Sequence, residues 1–179
     1  MAATKKMDAV ALLKADHRKV DDLFKKFTKT RDSRTKQSLA KEICTELTVH
    51  ATIEEEIFYP ACNGKVEDDL QHESYVEHDG AKVLIAELEA SSPDNEFYDA
   101  KMTALCEQIK HHVKEEEKPG EGFFAQARQA GLDMEGLGEE LRARKQQLLT
   151  QIKEKGLPPP KTRSFTGHKL EQGKPVAQA

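Results

Sequence analysis

The sequence has no tryptophan, three tyrosines and seven phenylalanines, so aromatics make up only 6% of its 179 residues. An all-β domain would be richer in aromatic and β-branched side chains. Long apolar runs are also missing. The longest is Ala9 to Leu13, whereas a membrane span needs about 20 residues. The segment Met1–Lys6 is polar and no apolar core with a cleavage site follows it, so no signal peptide is expected. Cysteine is scarce: Cys44, Cys62 and Cys106 form no CxxC pair, and their odd number without a secretion signal implies reduced thiols in a cytoplasm. Proline is scarce where it matters. Four of the seven (Pro158, Pro159, Pro160 and Pro175) lie near the C-terminus, and only Pro60, Pro93 and Pro119 interrupt the rest.

Charge is plentiful, at 34% of residues, and Ala, Leu, Glu, Lys and Gln favour helices. Its sign is uneven. Residues 156–179 carry four Lys/Arg and one Glu, a net of +3, so the remainder holds 24 basic against 31 acidic residues, a net of −7 within the total of −4. Such an acidic body is poorly suited to nucleic acid, whose phosphates need clustered Lys and Arg.

Between the prolines, four segments show helical period. Val10, Leu13, His17, Val20, Phe24 and Phe27 step by 3, 4, 3, 4, 3 within about 8–29. Leu39, Ile43, Leu47, His50, Glu54 and Ile57 form a stripe within about 33–59. Ser74, His78, Ala81, Ile85 and Leu88 do so within about 67–90. Met102, Leu105, Ile109, His112 and Glu116 complete the set within about 93–117, with Ser92 as the expected N-cap before Pro93. The expected fold is all-α: an up-down-up-down four-helix bundle over residues 7–130, including a short helix near 122–130. A C-terminal helix over about 134–155, ended by Gly156, packs on the bundle within a segment 131–156. A flexible N-terminus (1–6) and a disordered tail (157–179) flank it.

The chemistry lies in polar residues at core positions. His17, His50, His78 and His112 each occupy a step of an apolar stripe, and Glu54 and Glu116 follow two of them at i+4, on the same helical face. One histidine in such a stripe is more often a hydrogen-bonded core residue. Four in phase on four helices, with two carboxylates, are hard to obtain by chance. A buried unpaired carboxylate costs several kcal/mol, and no Lys or Arg occupies the stripes, so metal is the natural counter-charge. His111 and its Glu115 lie off phase on a polar flank, and His72 and His168 lie off the stripes. Six ligands exceed one tetrahedral zinc. Imidazole with carboxylate suits iron, manganese or zinc. Two ions use the set economically: His17 and His50 on one, His78 and His112 on the other, with Glu54 and Glu116 as bridges. Cys44 and Cys106 each precede a proposed ligand by six residues, and packed reduced thiols are the simpler reading.

At these residues the chain resembles the hemerythrin-like, or HHE cation-binding, family. The matching segments are DHRKV around His17, HATIEEEIFYPA from His50, EHDGAKVLIAEL from Glu77 and HHVKEEE from His111, within a resemblance over roughly residues 7–155. It implies a four-helix bundle with a non-haem di-iron centre that binds O2 or related small molecules, or that senses iron, oxygen or nitric oxide. Animal oxygen carriers of this family place two histidines four residues apart on the third helix. Here Ser74 and Lys82 flank His78 at those distances. The resulting open position favours redox turnover or sensing over simple O2 carriage. The inserted KPGEG after Glu117 is expected to break the fourth helix early and loosen that end of the bundle. Three functions compete: binding or sensing of O2, NO or peroxide; peroxidase- or catalase-like turnover, with Tyr59 and Tyr75 near the ligands; and an iron store or metal-responsive interaction module. The expected partner is a small molecule, with neither nucleic acid nor membrane, and no protein partner is identified.

Overall fold

Aspartates open the first two helices by accepting backbone N–H groups that have no partner within the helix. Asp8 takes the Ala11 N–H at 2.8 Å and starts α1 (Ala9–Lys29). Asp32 takes the Thr35 N–H at 2.8 Å and starts α2 (Ser33–Ile53). The helix then widens into one π-helical turn (Glu54–Phe58) and resumes as α3 (Tyr59–Cys62). α4 (Asp68–Glu89), α5 (Tyr98–Glu116), α6 (Phe123–Gln129) and α7 (Met134–Lys155) follow. The computed structural model describes residues 7–167 and Gly173, and among these there is no strand. α1, α2, α4 and α5 form a four-helix bundle, and α7 lies outside it against α1 and α2. No described helix is long and apolar enough to cross a membrane.

The π turn has a local cause. Pro60 has no N–H to give to the carbonyl four residues earlier, and its ring crowds that carbonyl. The Tyr59 N–H reaches back five residues to the Glu54 carbonyl. The extra residue shifts the helix phase. Ile57, expected on the inner stripe, is only partly buried, while Phe58 and Tyr59 are wholly buried.

Three expectations at element ends differ from the structure. Ser92 does not cap α5. Ser92–Asn95 forms a turn with Pro93 at its second position, closed by the Asn95 N–H on the Ser92 carbonyl at 2.9 Å, and α5 begins at Tyr98. Nor does KPGEG loosen its end of the bundle. α5 stops at Glu116, and the chain folds back so closely that a Cβ on Gly122 would lie 2.6 Å from the Glu115 carbonyl oxygen. That return inserts Phe123 against Phe58 and Tyr59, with ring centroids 5.8 and 4.9 Å apart, and seals the end. Finally, residues 157–167, expected to be disordered, lie against the bundle. The buried Asp79 carboxylate on α4 accepts the Arg163 N–H at 2.7 Å, the Ser164 N–H at 2.6 Å and the Ser164 hydroxyl at 2.7 Å. The Arg163 guanidinium stacks 4.5 Å from the Tyr75 ring centroid. A low apolar content did not reveal this strap because its anchor is a carboxylate. Residues 1–6, His168 and the tail beyond 167, apart from Gly173, lie outside the described residues.

The apolar core is in two parts. One runs from Val20, Phe24 and Phe27 to Ile43, Leu47, Ile85, Leu88, Met102 and Leu105. The other joins Ala9, Val10 and Leu13 to Ile53, Phe58, Tyr59, Phe123, Phe124 and Leu141. Along α1 the break between them falls at Asp16 and His17, both buried. A Cβ at Gly122 would meet backbone atoms, which cannot swing aside. We expect Gly122→Ala to cost about 1–3 kcal/mol and to lower the melting temperature by several degrees in a circular-dichroism melt.

Candidate metal centre

The polar break in the core is the site. His17 on α1, His50 on α2, His78 on α4 and His112 on α5 point inward, each no more than 5% exposed, and Glu54 and Glu116 between them are 0% and 1% exposed. His17 Nε2 lies 3.1 Å from His50 Nε2, and His78 Nε2 lies 3.3 Å from His112 Nε2. Glu54 Oε2 is 3.2 Å from His50 Nε2 and 3.3 Å from His78 Nε2. Glu116 Oε2 is 3.3 Å from His17 Nε2 and 3.4 Å from His112 Nε2. Each carboxylate therefore stands between the two histidine pairs. Among the described residues, two buried groups of donor atoms have spacings that could hold an ion: His17, His50, Glu54 and Glu116, and Glu54, His78 and His112. All six residues singled out in the sequence meet here.

Four further carboxylates, not anticipated from the stripes, face the outer edges of the imidazoles. His17 Nδ1 donates to Glu117 Oε1 at 2.7 Å, His78 Nδ1 to Glu55 Oε1 at 3.0 Å, and His112 Nδ1 to Glu77 Oε2 at 2.7 Å. His50 Nδ1 faces Asp16 Oδ2 at 3.5 Å. Each of the four is adjacent in sequence to one of the six, and that adjacency was the available signal. Each also faces a basic group farther out: Arg18 for Glu117, Lys82 for Glu55 at 2.7 Å, His111 for Glu77 at 3.4 Å, and Lys145 of α7 for Asp16.

This arrangement fixes the protons. An ionised carboxylate only accepts, so the hydrogen of a neutral imidazole lies on Nδ1 and the Nε2 lone pair points inward. The Nε2 lone pairs of His17, His78 and His112 and the two carboxylates then face one another out of water. Glu54 Oε1 and Glu116 Oε2 are buried with no hydrogen-bond partner. The cluster demands cations, and the nitrogen–oxygen donor set without thiolate fits iron, manganese or zinc. With no metal, protons are the alternative. Burial opposes a charge on His50, but Glu54 and Asp16 outweigh it and push the imidazole up to about 10. His112 is raised well above its usual value against the same burial, by Glu116 and Glu77. Burial and Glu116 both disfavour ionised Glu54, yet His50 and His78 bring it down to about 2.

Aromatic rings close one side. Phe124 stacks on His17 at 5.7 Å and Tyr59 on His78 at 5.5 Å between centroids. The Tyr59 hydroxyl donates to Glu116 Oε1 at 3.0 Å and lies 3.4 Å from both Glu54 Oε2 and His78 Nε2. Burial and the two glutamates raise its pKa well above the usual value, so it stays protonated. On the other side is a cavity of about 30 Å³, bounded by the four histidines and by Val20, Leu47, Ala81, Ile85, Ile109 and Val113. Cys44 and Cys62 take no part: burial pushes both thiols up to about 12.

The model of the Hemerythrin HHE cation binding domain matches residues 8–119. The chain belongs to this family. The HHE domain also resembles the crystal structure of a hemerythrin HHE cation binding domain-containing protein from Mycobacterium kansasii. The TM-score is 0.68 at 22% identity, over 84% of this chain and 94% of that one. A DNA nickase from Nostoc sp. (strain PCC 7120) is 29% identical over 111 residues, 62% of this chain but 32% of the nickase, so the chain spans about a third of that relative's length.

In chelator-stripped HHE domain, the raised His50 value means that protonated His50 stabilises the fold fully below its ordinary 6.5, and that this contribution is lost as pH rises through about 10. The lowered Glu54 value contributes above 4.5 and is lost as pH falls through about 2. The stripped protein is expected to melt highest between about pH 4.5 and 6.5 and progressively lower towards pH 10. A melting temperature that climbs over that alkaline range would contradict the charge assignment.

Proposed function

We propose that this HHE domain holds two iron ions and binds or senses O2, NO or peroxide. In this reading His17 and His50 serve one ion, His78 and His112 the other, and Glu54 and Glu116 bridge them. The observation that carries it is the meeting of four Nε2 atoms around two buried carboxylates, each with one oxygen that lacks a hydrogen-bond partner. Bound iron supplies reversible electron transfer and open coordination positions. The chain's own residues do the rest. Glu117, Glu55 and Glu77 fix three imidazoles by their Nδ1 hydrogens, and Asp16 faces the fourth. Tyr59 keeps a proton 3.0 Å from Glu116. The cavity of about 30 Å³ suits a molecule of two or three heavy atoms. Zinc and manganese are the other metals these donors would accept.

The Tyr59 hydroxyl favours peroxide turnover as a second reading, since it places a proton donor among the ligands. The similarity to a DNA nickase raises nucleic acid as a partner, but the net −7 outside residues 156–179 opposes contact with phosphates. The three free thiols suit a reducing, cytoplasmic setting.

Elemental analysis of protein purified without added metal should give two irons per chain, and anaerobically reduced protein should gain visible charge-transfer bands on exposure to O2. His112→Ala should lose both. Glu117→Gln should keep the fold and weaken metal affinity by about 10–100-fold, the usual effect of removing a ligand's outer partner. Iron-loaded protein that stays spectroscopically blank with O2, NO and peroxide would refute this reading.

A further inference from the structure

The cavity beside the histidines lies within the bundle, so a small molecule must pass between helices to reach it. A groove of about 1,270 Å³ lies between α2, α4, α7 and the strap, with Leu157, the three prolines at 158–160 and Arg163 along its far wall. The cavity and the groove share three lining residues: Thr48 of α2 and Lys82 and Ile85 of α4. They are where the inner space comes nearest to the outer one. We propose that neutral molecules of two heavy atoms, such as O2 and NO, reach the centre through this groove, between Thr48 and Ile85 and past Lys82. The identity of the ligand rests on the function proposed above, whereas the route rests on the cavity, the groove and the residues they share.

The chemistry of the passage selects its traffic. The inner cavity has apolar walls at Val20, Ile85, Ile109 and Val113, which desolvate a neutral diatomic at little cost and reject an ion. Lys82 is held aside at the threshold, its ammonium 2.7 Å from Glu55 Oε1 and 3.1 Å from Asp79 Oδ1. The same Asp79 accepts the Arg163 and Ser164 N–H groups. The strap and the threshold lysine are thus moored to one carboxylate. At the end near Tyr59 the packed rings of Phe123, Phe58 and Tyr59 close the bundle.

Two variants narrow the threshold from opposite helices, Ile85→Trp on α4 and Thr48→Phe on α2. In each folded variant, association of NO with the iron-loaded, reduced protein should slow by at least about tenfold, equivalent to about 1.4 kcal/mol of barrier, with iron content and resting spectrum unchanged. Wild-type association rates in either folded variant would overturn the route. Crystals pressurised with xenon give a readout independent of metal: xenon should occupy the cavity between Val20, Ile85 and Ile109, and its absence there would also overturn the proposal. Should wild-type protein ignore NO altogether, the functional reading fails, while xenon still decides the route.

Discussion

Everything in this bundle is arranged around the cost of keeping two carboxylates and four imidazoles dry. Glu54 and Glu116 have essentially no contact with solvent, and an uncompensated buried charge costs several kcal/mol. Compensation runs in alternating rings. Inward-facing nitrogens meet the glutamates, outer carboxylates face the far side of the imidazoles, and near the surface Arg18, Lys82 and Lys145 neutralise the carboxylates of Glu117, Glu55 and Asp16. The last of these gives α7 an electrostatic purpose: Lys145 carries positive charge to Asp16, which faces His50.

The centre is built twice. Asp16 and His17 with His50, Glu54 and Glu55 form one half, and Glu77 and His78 with His112, Glu116 and Glu117 form the other, the paired histidines being 33 and 34 residues apart. In each half the acidic residue before the first histidine faces the second, while the one after the glutamate reaches across to the first histidine of the other half. The halves differ in the rings they lay on the site. One histidine is covered by Phe124 and its counterpart by Tyr59, so a single hydroxyl breaks the near-symmetry.

The four stripes and the six inward polar residues were legible because helical period is a local property and a residue aimed at the bundle interior must keep phase with the core. What the period could not reveal was anything that breaks it. The π turn ahead of Pro60 shifts burial from Ile57 to Phe58 and Tyr59, and the turn at Ser92–Asn95 delays α5 to Tyr98. The outer carboxylates escaped for the opposite reason: Glu55 and Glu117 stand one residue off phase, where charge is normally solvated. The strap was hidden because Asp79 is a charged residue in a helix, and nothing local says that its partners lie 84 and 85 residues away.

A polar layer across the middle of a bundle also divides the hydrophobic interior. The cluster around Phe24, Ile43 and Leu105 and the cluster around Leu13, Phe58 and Phe123 are separate bodies of apolar packing, joined by the helices that run through both and by whatever occupies the layer between. Cooperativity in such a molecule is not guaranteed by its core. Cations held between them by side chains from all four bundle helices would tie the two interiors into one unfolding unit. Without them, each end could open on its own, and amide hydrogens on the two sides of His17 would exchange with different free energies.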